Sequence, residues 1–119
     1  MFLASSVGAV TIANSLFSNS EIKPYFMYTS HTSTLLENVT FTNAIVWNTY
    51  ISGFLNPKIQ LVNVTFYNNT INEFYRHASG LVFCFMCGSI EIKDSKFGLN
   101  VLTGTIIEAY DTNVTIIDS

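Results

Sequence analysis

The sequence predicts an all-β protein, and more specifically a right-handed parallel β-helix with three sides. Five copies of one sequence pattern recur at a period of about 24 residues, and apolar and polar residues alternate within each copy as they do in a strand. Val, Ile, Thr, Phe and Tyr are also plentiful, while residues that favour helices are scarce. We expect about five coils in a single array over residues 1–119, starting near residues 1, 25, 50, 81 and 105.

The five copies align without internal gaps. Each has an aliphatic position, then Asn or Asp, then Phe three residues later, except that the last copy stops before its Phe position. They are VTIANSLFSN from Val10, TLLENVTFTN from Thr34, IQLVNVTFYN from Ile59, IEIKDSKFGL from Ile90 and VTIIDS from Val114. Asn14, Asn38, Asn63, Asp94 and Asp118, here called the pivots, are 24, 25, 31 and 24 residues apart. An earlier strand is predicted to begin twelve residues before each pivot, at Phe2, Phe26, Ile51, Val82 and Ile106.

Stacked coils place equivalent residues above one another at the strand spacing of about 4.8 Å. An internal aromatic stack is therefore predicted for Phe17, Phe41, Phe66 and Phe97. An aliphatic column is predicted for Ile12, Leu36, Leu61, Ile92 and Ile116. Each large side chain that is buried contributes about 1.5–3 kcal/mol, so these columns can hold the coils together.

The pivots are predicted to form an asparagine ladder. Asn tolerates the left-handed backbone conformation that a sharp corner requires. Its side-chain amide can also donate a hydrogen bond to one neighbouring coil and accept one from the other. The ladder is predicted to contain Asn14, Asn38, Asn63, Asp94 and Asp118, and we expect the amides of Asn38 and Asn63 to be buried in it.

The V-x-I-x-N-x-x-F-x-N pattern resembles the right-handed parallel β-helix repeats of the pectin-lyase-like superfamily. It is most similar to the non-enzymatic repeats of surface adhesins, polymorphic outer-membrane proteins and large repeat proteins of protists. The resemblance implies a structural or adhesive segment of an extracellular or cell-surface protein. It specifies the architecture well and the activity poorly, because one fold serves many functions.

No enzymatic activity and no cofactor are expected. The sugar-cleaving members of this superfamily typically cluster acidic residues on one exposed face, whereas the eight acids here do not converge in the sequence. Two alternatives stay open: the chain is part of a carbohydrate-active enzyme, such as a pectate lyase or polygalacturonase, whose catalytic coils lie outside it, or it is an architectural subunit of a large complex.

Charge argues against a nucleic-acid partner, and hydropathy argues against a membrane-spanning helix. The net charge is −3, and Arg76 and four lysines form no basic stripe, so a nucleic-acid partner is not expected. No apolar stretch reaches the roughly 18 residues that a membrane-spanning helix needs. Both ends of the chain fall within a repeat, which predicts an uncapped array whose partners are further β-helix coils of the same or another chain.

A seven-residue insertion lengthens the third interval and is predicted to lie between Tyr67 and Ser79. Recognition is often carried by loops that project from a regular scaffold. The candidate binding residues are Glu73, Phe74, Tyr75, Arg76 and His77. Aromatic side chains beside an arginine suit a carbohydrate or a protein ligand. The alternative is ordinary length variation that covers one side of the core.

Two residue pairs allow more than one interpretation. Asp94 and Asp118 occupy the pivot column in adjacent coils, so they either share a cation such as Ca²⁺ or are two solvated carboxylates. Cys84 and Cys87 form an isolated C-x-x-C at the end of a predicted strand. Two cysteines are too few for a structural zinc site, so buried thiols or a local disulfide are expected.

Four N-glycosylation sequons begin at Asn38, Asn63, Asn68 and Asn113. Because Asn38 and Asn63 are expected to be buried in the ladder, the candidate glycosylation sites are Asn68 and Asn113.

Overall fold

A computed structural model describes the backbone of residues 2–5 and all atoms of residues 8–23, 25–72, 80–102 and 105–119. These residues form sixteen strands and no helix. The strands are β1 (Phe2–Ser5), β2 (Ala9–Ser18), β3 (Glu21–Ile22), β4 (Tyr25–Ser30), β5 (Ser33–Thr42), β6 (Ile45–Val46), β7 (Thr49–Phe54), β8 (Lys58–Val62), β9 (Thr65–Tyr67), β10 (Thr70–Ile71), β11 (Gly80–Phe85), β12 (Ser89–Lys93), β13 (Lys96–Gly98), β14 (Val101–Leu102), β15 (Thr105–Tyr110) and β16 (Asn113–Ile117).

The strands stack in parallel into three sheets that wind as a β-solenoid of about four turns. Sheet 1 has the order β1-β4-β7-β11-β15, and sheet 3 has the order β14-β10-β6-β3. Sheet 2 contains β2, β5, β8, β9, β12, β13 and β16. Each strand pairs with the equivalent strand of the next coil rather than with its neighbour in the chain. The predicted all-β parallel β-helix is confirmed.

Three corners in each coil contain one residue in the left-handed conformation, whereas Trp47 and Asn48, which lead from sheet 3 back to sheet 1, are not left-handed. All thirteen non-glycine residues with positive φ in the described chain are corner residues, with φ between 49° and 56°. Corner 1, between sheets 1 and 2, holds His31, Leu55, Met86 and Asp111; corner 2, where sheet 2 bends, holds the five pivots; corner 3, between sheets 2 and 3, holds Asn19, Asn43, Asn68 and Leu99. The pivots therefore have the predicted backbone conformation.

The residue after each corner residue links successive coils. Its backbone N–H often donates a hydrogen bond to the side-chain oxygen of the equivalent residue in the following coil, with a donor–acceptor distance of 3.0 or 3.1 Å. The described bonds of this kind run from Thr32 to Asn56, Ala44 to Asn69, Asn69 to Asn100, Val64 to Ser95, Ser95 to Ser119 and Cys87 to Thr112. An N–H inside a corner would otherwise lack an acceptor, so these short polar side chains satisfy the backbone within the core.

The predicted aromatic stack is confirmed. Neighbouring rings in the stack of Phe17, Phe41, Phe66 and Phe97 are 5.3, 5.0 and 5.5 Å apart, with planes within 16° of parallel. Tyr50 packs beside the two central rings, 4.8 Å from Phe41 and 5.3 Å from Phe66. Its hydroxyl donates a hydrogen bond of 2.8 Å to Asn69 Oδ1, and burial raises the pKa of Tyr50.

The predicted aliphatic column is also in register. Parallel pairing aligns Ile12, Leu36, Leu61, Ile92 and Ile116 in that order. The three central side chains are fully buried, whereas Ile116 in the last coil is 56% exposed. Burial in this column therefore depends on having a coil on both sides.

The residues predicted to align at the start of the sheet 1 strands are wrong by one position in two coils. Met27 and Ile107, not Phe26 and Ile106, pair in register with Ile51 and Val82. The cause is an additional residue at corner 1 in the third and fourth coils, Pro57 and Gly88. It moves the strands of those coils one position further from their pivots.

We predict that Phe66→Ala lowers the free energy of unfolding by about 3–5 kcal/mol, because the substitution leaves a cavity between two stacked rings. Phe97→Ala is the matched control, since Phe97 is only partly buried and stacks on Phe66 alone among the described rings. Its loss is expected to be clearly smaller. Urea unfolding of both variants measures the difference. Equal losses of unfolding free energy would contradict a larger contribution from the ring that stacks on both sides.

Candidate interaction surface

The candidate binding residues Glu73, Phe74, Tyr75, Arg76 and His77 lie outside the described residues. The strands on either side locate the insertion more narrowly than the sequence does. Thr70 and Ile71 still pair with β6 and β14, and pairing in sheet 1 resumes at Gly80. The additional residues therefore lie after Ile71 rather than after Tyr67.

The asparagine ladder is present at corner 2, but the prediction that it is buried is wrong. Asn38 Nδ2 donates to Asn14 Oδ1 at 3.0 Å, and Asn63 Nδ2 donates to Asn38 Oδ1 at 2.8 Å. All three residues are exposed. The reason is the left-handed corner itself, which directs the pivot side chain outward and the following side chain inward. Burial therefore gives no ground for excluding Asn38 or Asn63 from glycosylation.

A second ladder runs along corner 3 and contains one of the candidate glycosylation sites. Asn68 lies outside the pivot ladder, but its Nδ2 donates to Asn43 Oδ1 of the preceding coil at 2.7 Å. Asn113 is exposed in β16, and no side-chain ladder bond involves it among the described residues. The sequence signal for this second ladder is the Asn that recurs five residues after the pivot in the first three coils.

Asp94 and Asp118 are neighbours in the pivot column, as predicted. Both are exposed and left-handed, and the Asp94 N–H donates to the carbonyl of Ile117 at 3.1 Å. In the described part of the chain, no three His, Cys, Asp or Glu side chains lie together as a metal site would need. Shared binding of a cation by these two carboxylates stays a prediction.

The C-x-x-C residues form a disulfide across corner 1. Cys84 and Cys87 are buried, their Cα atoms are 6.0 Å apart, and Met86 between them is the left-handed corner residue. In the coil below, Gly53 is in register with Cys84. A Cβ atom added to Gly53 would lie 2.7 Å from Cys84 Sγ, so the absence of a side chain there makes room for the disulfide.

The outer face of sheet 1 carries an aromatic stripe made of Phe54, Phe85 and Tyr110. The three residues are in register in successive coils and are 36%, 39% and 47% exposed. The ring centroids are 6.0 Å apart between Phe54 and Phe85 and 6.2 Å apart between Phe85 and Tyr110. Contiguous exposed apolar surface of this kind is uncommon and often marks an interaction site.

Two further side chains flank the stripe. The ring of His31 lies 6.3 Å from that of Phe54, nearly at right angles to it. Met86, 47% exposed, lies one residue after Phe85 at corner 1. The stripe with its flanking residues thus forms one apolar strip along the solenoid axis.

Two rings of the stripe have nearly the same orientation. The planes of Phe54 and Phe85 are within 6° of parallel, with centroids 6.0 Å apart. A row of exposed apolar rings suits contact with aliphatic or aromatic side chains of another protein.

A carboxylate forms the polar border of the stripe. The hydroxyl of Tyr110 donates to Glu108 Oε1 at 2.7 Å, and this hydrogen bond and the negative charge raise the pKa of Tyr110. This hydrogen bond places a polar group at the Tyr110 end of the otherwise apolar stripe.

A separate polar cluster lies on sheet 3. Trp47 Nε1 donates to Glu21 Oε1 at 2.9 Å, and Lys23 Nζ lies 2.9 Å from the same oxygen and 5.2 Å from the centre of the indole ring. Lys23 and Trp47 lower the pKa of Glu21 through these hydrogen bonds. The indole N–H, the lysine ammonium group and Glu21 Oε1 are paired with one another, so the cluster is better explained as a surface contact between coils than as a ligand site.

The described part of the chain contains no helix that is long and apolar enough to cross a membrane.

We predict that Gly53→Ala lowers the free energy of unfolding by about 1–3 kcal/mol, as overpacking of a tight core does. The added methyl would also meet Asn56 Nδ2 and Ile59 Cδ1, each at 2.8 Å. Gly8→Ala is the control, because a Cβ there meets nothing within 4 Å. Thermal or urea unfolding compares the two, and a Gly53→Ala variant as stable as Gly8→Ala would contradict this close contact.

At the pivot, Asn63→Ala is expected to destabilise the fold more than Asn63→Gly does. Both variants lose the ladder bond to Asn38, worth about 0.5–1.5 kcal/mol. Only Ala also incurs the cost of about 1–2 kcal/mol for a left-handed residue with a Cβ. Urea unfolding separates the two contributions. Equal losses would show that the corner does not need the left-handed conformation of Asn63.

Comparison with known proteins finds no matching family model, no matching curated protein and no matching solved structure. The strand pairing alone therefore shows what this chain is: a parallel β-solenoid.

Proposed function

We propose that this chain is a non-catalytic structural and adhesive β-helix segment of an extracellular or cell-surface repeat protein. In this proposal it belongs with the non-enzymatic repeats of the pectin-lyase-like superfamily. Its aromatic stripe is the surface that binds a protein partner. The observation that carries the proposal is the exposure of Phe54, Phe85 and Tyr110 in register on one face.

A protein partner is favoured over a carbohydrate by the residue types of the stripe. Phe54 and Phe85 are exposed and offer no hydrogen-bonding group to the hydroxyls of a sugar. Aromatic residues and Met are enriched at protein interfaces, and buried aromatic anchors carry much of the binding energy there. Met86 beside the rings adds an adaptable apolar side chain.

An extracellular setting is supported by the cysteines. Cys84 and Cys87 are joined, and disulfides persist in oxidising compartments while they are rare in the cytosol. The four sequon asparagines are all exposed, which is compatible with glycosylation in that setting.

The non-catalytic proposal is supported by the separate positions of three described glutamates. Glu21 lies on sheet 3, Glu91 on sheet 2 and Glu108 on sheet 1. Their partners are Lys23 and Trp47, Gln60 and Lys58, and Tyr110. Paired carboxylates that act on a glycosidic bond lie about 5–10 Å apart across a substrate, and these three acids face different sides.

The experiment compares the wild type with a Phe54→Ser, Phe85→Ser double variant on panels of immobilised extracellular proteins and of acidic and neutral oligosaccharides. Leu16→Ser is the matched control, since Leu16 is 65% exposed on β2, away from the stripe. We expect the wild type and the control to bind a protein at least about tenfold more tightly than the double variant, a difference of about 1.4 kcal/mol. No oligosaccharide should be cleaved.

Circular dichroism and thermal unfolding establish that the double variant is folded before binding is compared. Release of shorter oligosaccharides by the wild type would contradict the non-catalytic proposal. Protein binding that the double variant retains in full would contradict the role of the stripe, and binding of saccharides alone would contradict the choice of partner.

A further inference from the structure

Two residues of β11 and two of β15 form a square on the outer face of sheet 1. Phe83 is in register with Glu108, and Phe85 is in register with Tyr110. The residues between them in each strand belong to the core or pack against it, so these four side chains project from the opposite face. We call Phe83, Phe85, Glu108 and Tyr110 the β11–β15 square.

Three aromatic rings lie together in the square. The ring centroid of Tyr110 is 6.2 Å from that of Phe83 and 6.2 Å from that of Phe85. Phe85 and Tyr110 are 39% and 47% exposed, and Phe83 is partly exposed. A small ligand on this face can therefore contact several rings at once.

The square is also electronegative. Glu108 is partly exposed, and its Oε1 accepts the hydroxyl of Tyr110 at 2.7 Å. A phenol that donates to a carboxylate gains electron density on its ring, which strengthens the attraction of the ring for a cation. Asp111 follows Tyr110 at corner 1 and adds a second negative charge. The four lysines, all among the described residues, lie outside the strands of sheet 1.

Rings beside a carboxylate suit one class of cation in particular. Aromatic rings attract a cation that lies within about 6 Å of the ring centroid. A primary ammonium group carries three N–H donors that need acceptors once water is removed, and phenyl rings supply none. A quaternary ammonium group has no N–H, and its methyl groups pack directly on the rings. The residue types of the square therefore favour a quaternary over a primary ammonium group.

We propose that the β11–β15 square binds a small quaternary ammonium ion of the choline type. Its trimethylammonium group contacts the rings of Phe83, Phe85 and Tyr110, and the carboxylate of Glu108 balances its charge. A choline that carries a phosphate is disfavoured, because the phosphate would lie near the negative charges of Glu108 and Asp111.

The square needs no free strand edge. β11 and β15 pair with each other along their length, and the four side chains lie on the face of the sheet. A strand that pairs with the other edge of either one leaves this face open.

The inference goes beyond the proposed function, although Phe85 and Tyr110 belong to both the square and the aromatic stripe. Only the square depends on the charge of Glu108, whereas the stripe binds through apolar contacts. Choline binding and protein binding can therefore fail separately, and a variant of Glu108 distinguishes them.

The first test compares four small molecules by titration into isotopically labelled wild-type protein. Choline is expected to shift the amides of the square saturably, with a Kd of about 1–10 mM. Its neutral isostere 3,3-dimethylbutan-1-ol lacks the charge, ethanolamine lacks the methyl groups, and phosphocholine adds a phosphate. Each of these three should bind at least about tenfold more weakly than choline.

The second test uses variants of the square. Glu108→Gln keeps the shape of the side chain and removes its charge, so it should weaken choline binding at least about fivefold. Phe83→Leu keeps an apolar side chain and removes a ring, and a loss of at least about threefold is expected. Glu91→Gln is the matched control, because it makes the same change of charge on sheet 2 and should leave choline binding unchanged. Circular dichroism establishes that each variant is folded.

Three results would overturn the proposal. They are equal affinities for choline and its neutral isostere, unchanged choline binding in both Glu108→Gln and Phe83→Leu, and saturable shifts that lie away from the square. Tighter binding of phosphocholine than of choline would overturn the choice of ligand. Loss of choline binding in Glu108→Gln together with retained protein binding supports the square as a site separate from the stripe.

Discussion

The structure depends on a left-handed backbone at three corners of each coil. With φ held near +50° at one residue per corner, the chain changes direction within two or three residues and each coil returns to nearly the same path. Equal paths allow like side chains to lie above like, and this register produces both the core columns and the exposed ladders. Asn and Asp occupy nine of the thirteen left-handed positions, because they tolerate this conformation better than most residues.

The same corners explain why a core rich in Asn, Ser and Thr is stable. Each left-handed residue turns its own side chain outward and directs the next one inward. Asn69 is 1% exposed, yet its side chain accepts from Ala44 and Tyr50 and donates to the carbonyl of Phe41. Buried polar groups cost little when they are satisfied in this way. The apolar columns and the polar corners are therefore two products of one backbone geometry.

Register also organises the surfaces. Phe54, Phe85 and Tyr110 form a stripe only because sheet 1 aligns them. The stripe offers a row of apolar contacts, which suits binding and assembly.

The sequence by itself determined the period, the parallel coil, the Phe stack and the pivot column, because these repeat in identity at constant spacing. Only the tertiary structure decided that the pivot amides are exposed, since the direction of a corner side chain depends on φ. It also decided the shift of sheet 1 by one residue, which follows from the additional Pro57 and Gly88. The stripe was missed because its positions hold Ser30 in one coil and aromatic residues in the next, so no repeated letter marks them. Stacking of the coils determines which residues meet when they are distant in the sequence and unlike in type. A repeat pattern in the sequence does not show these contacts.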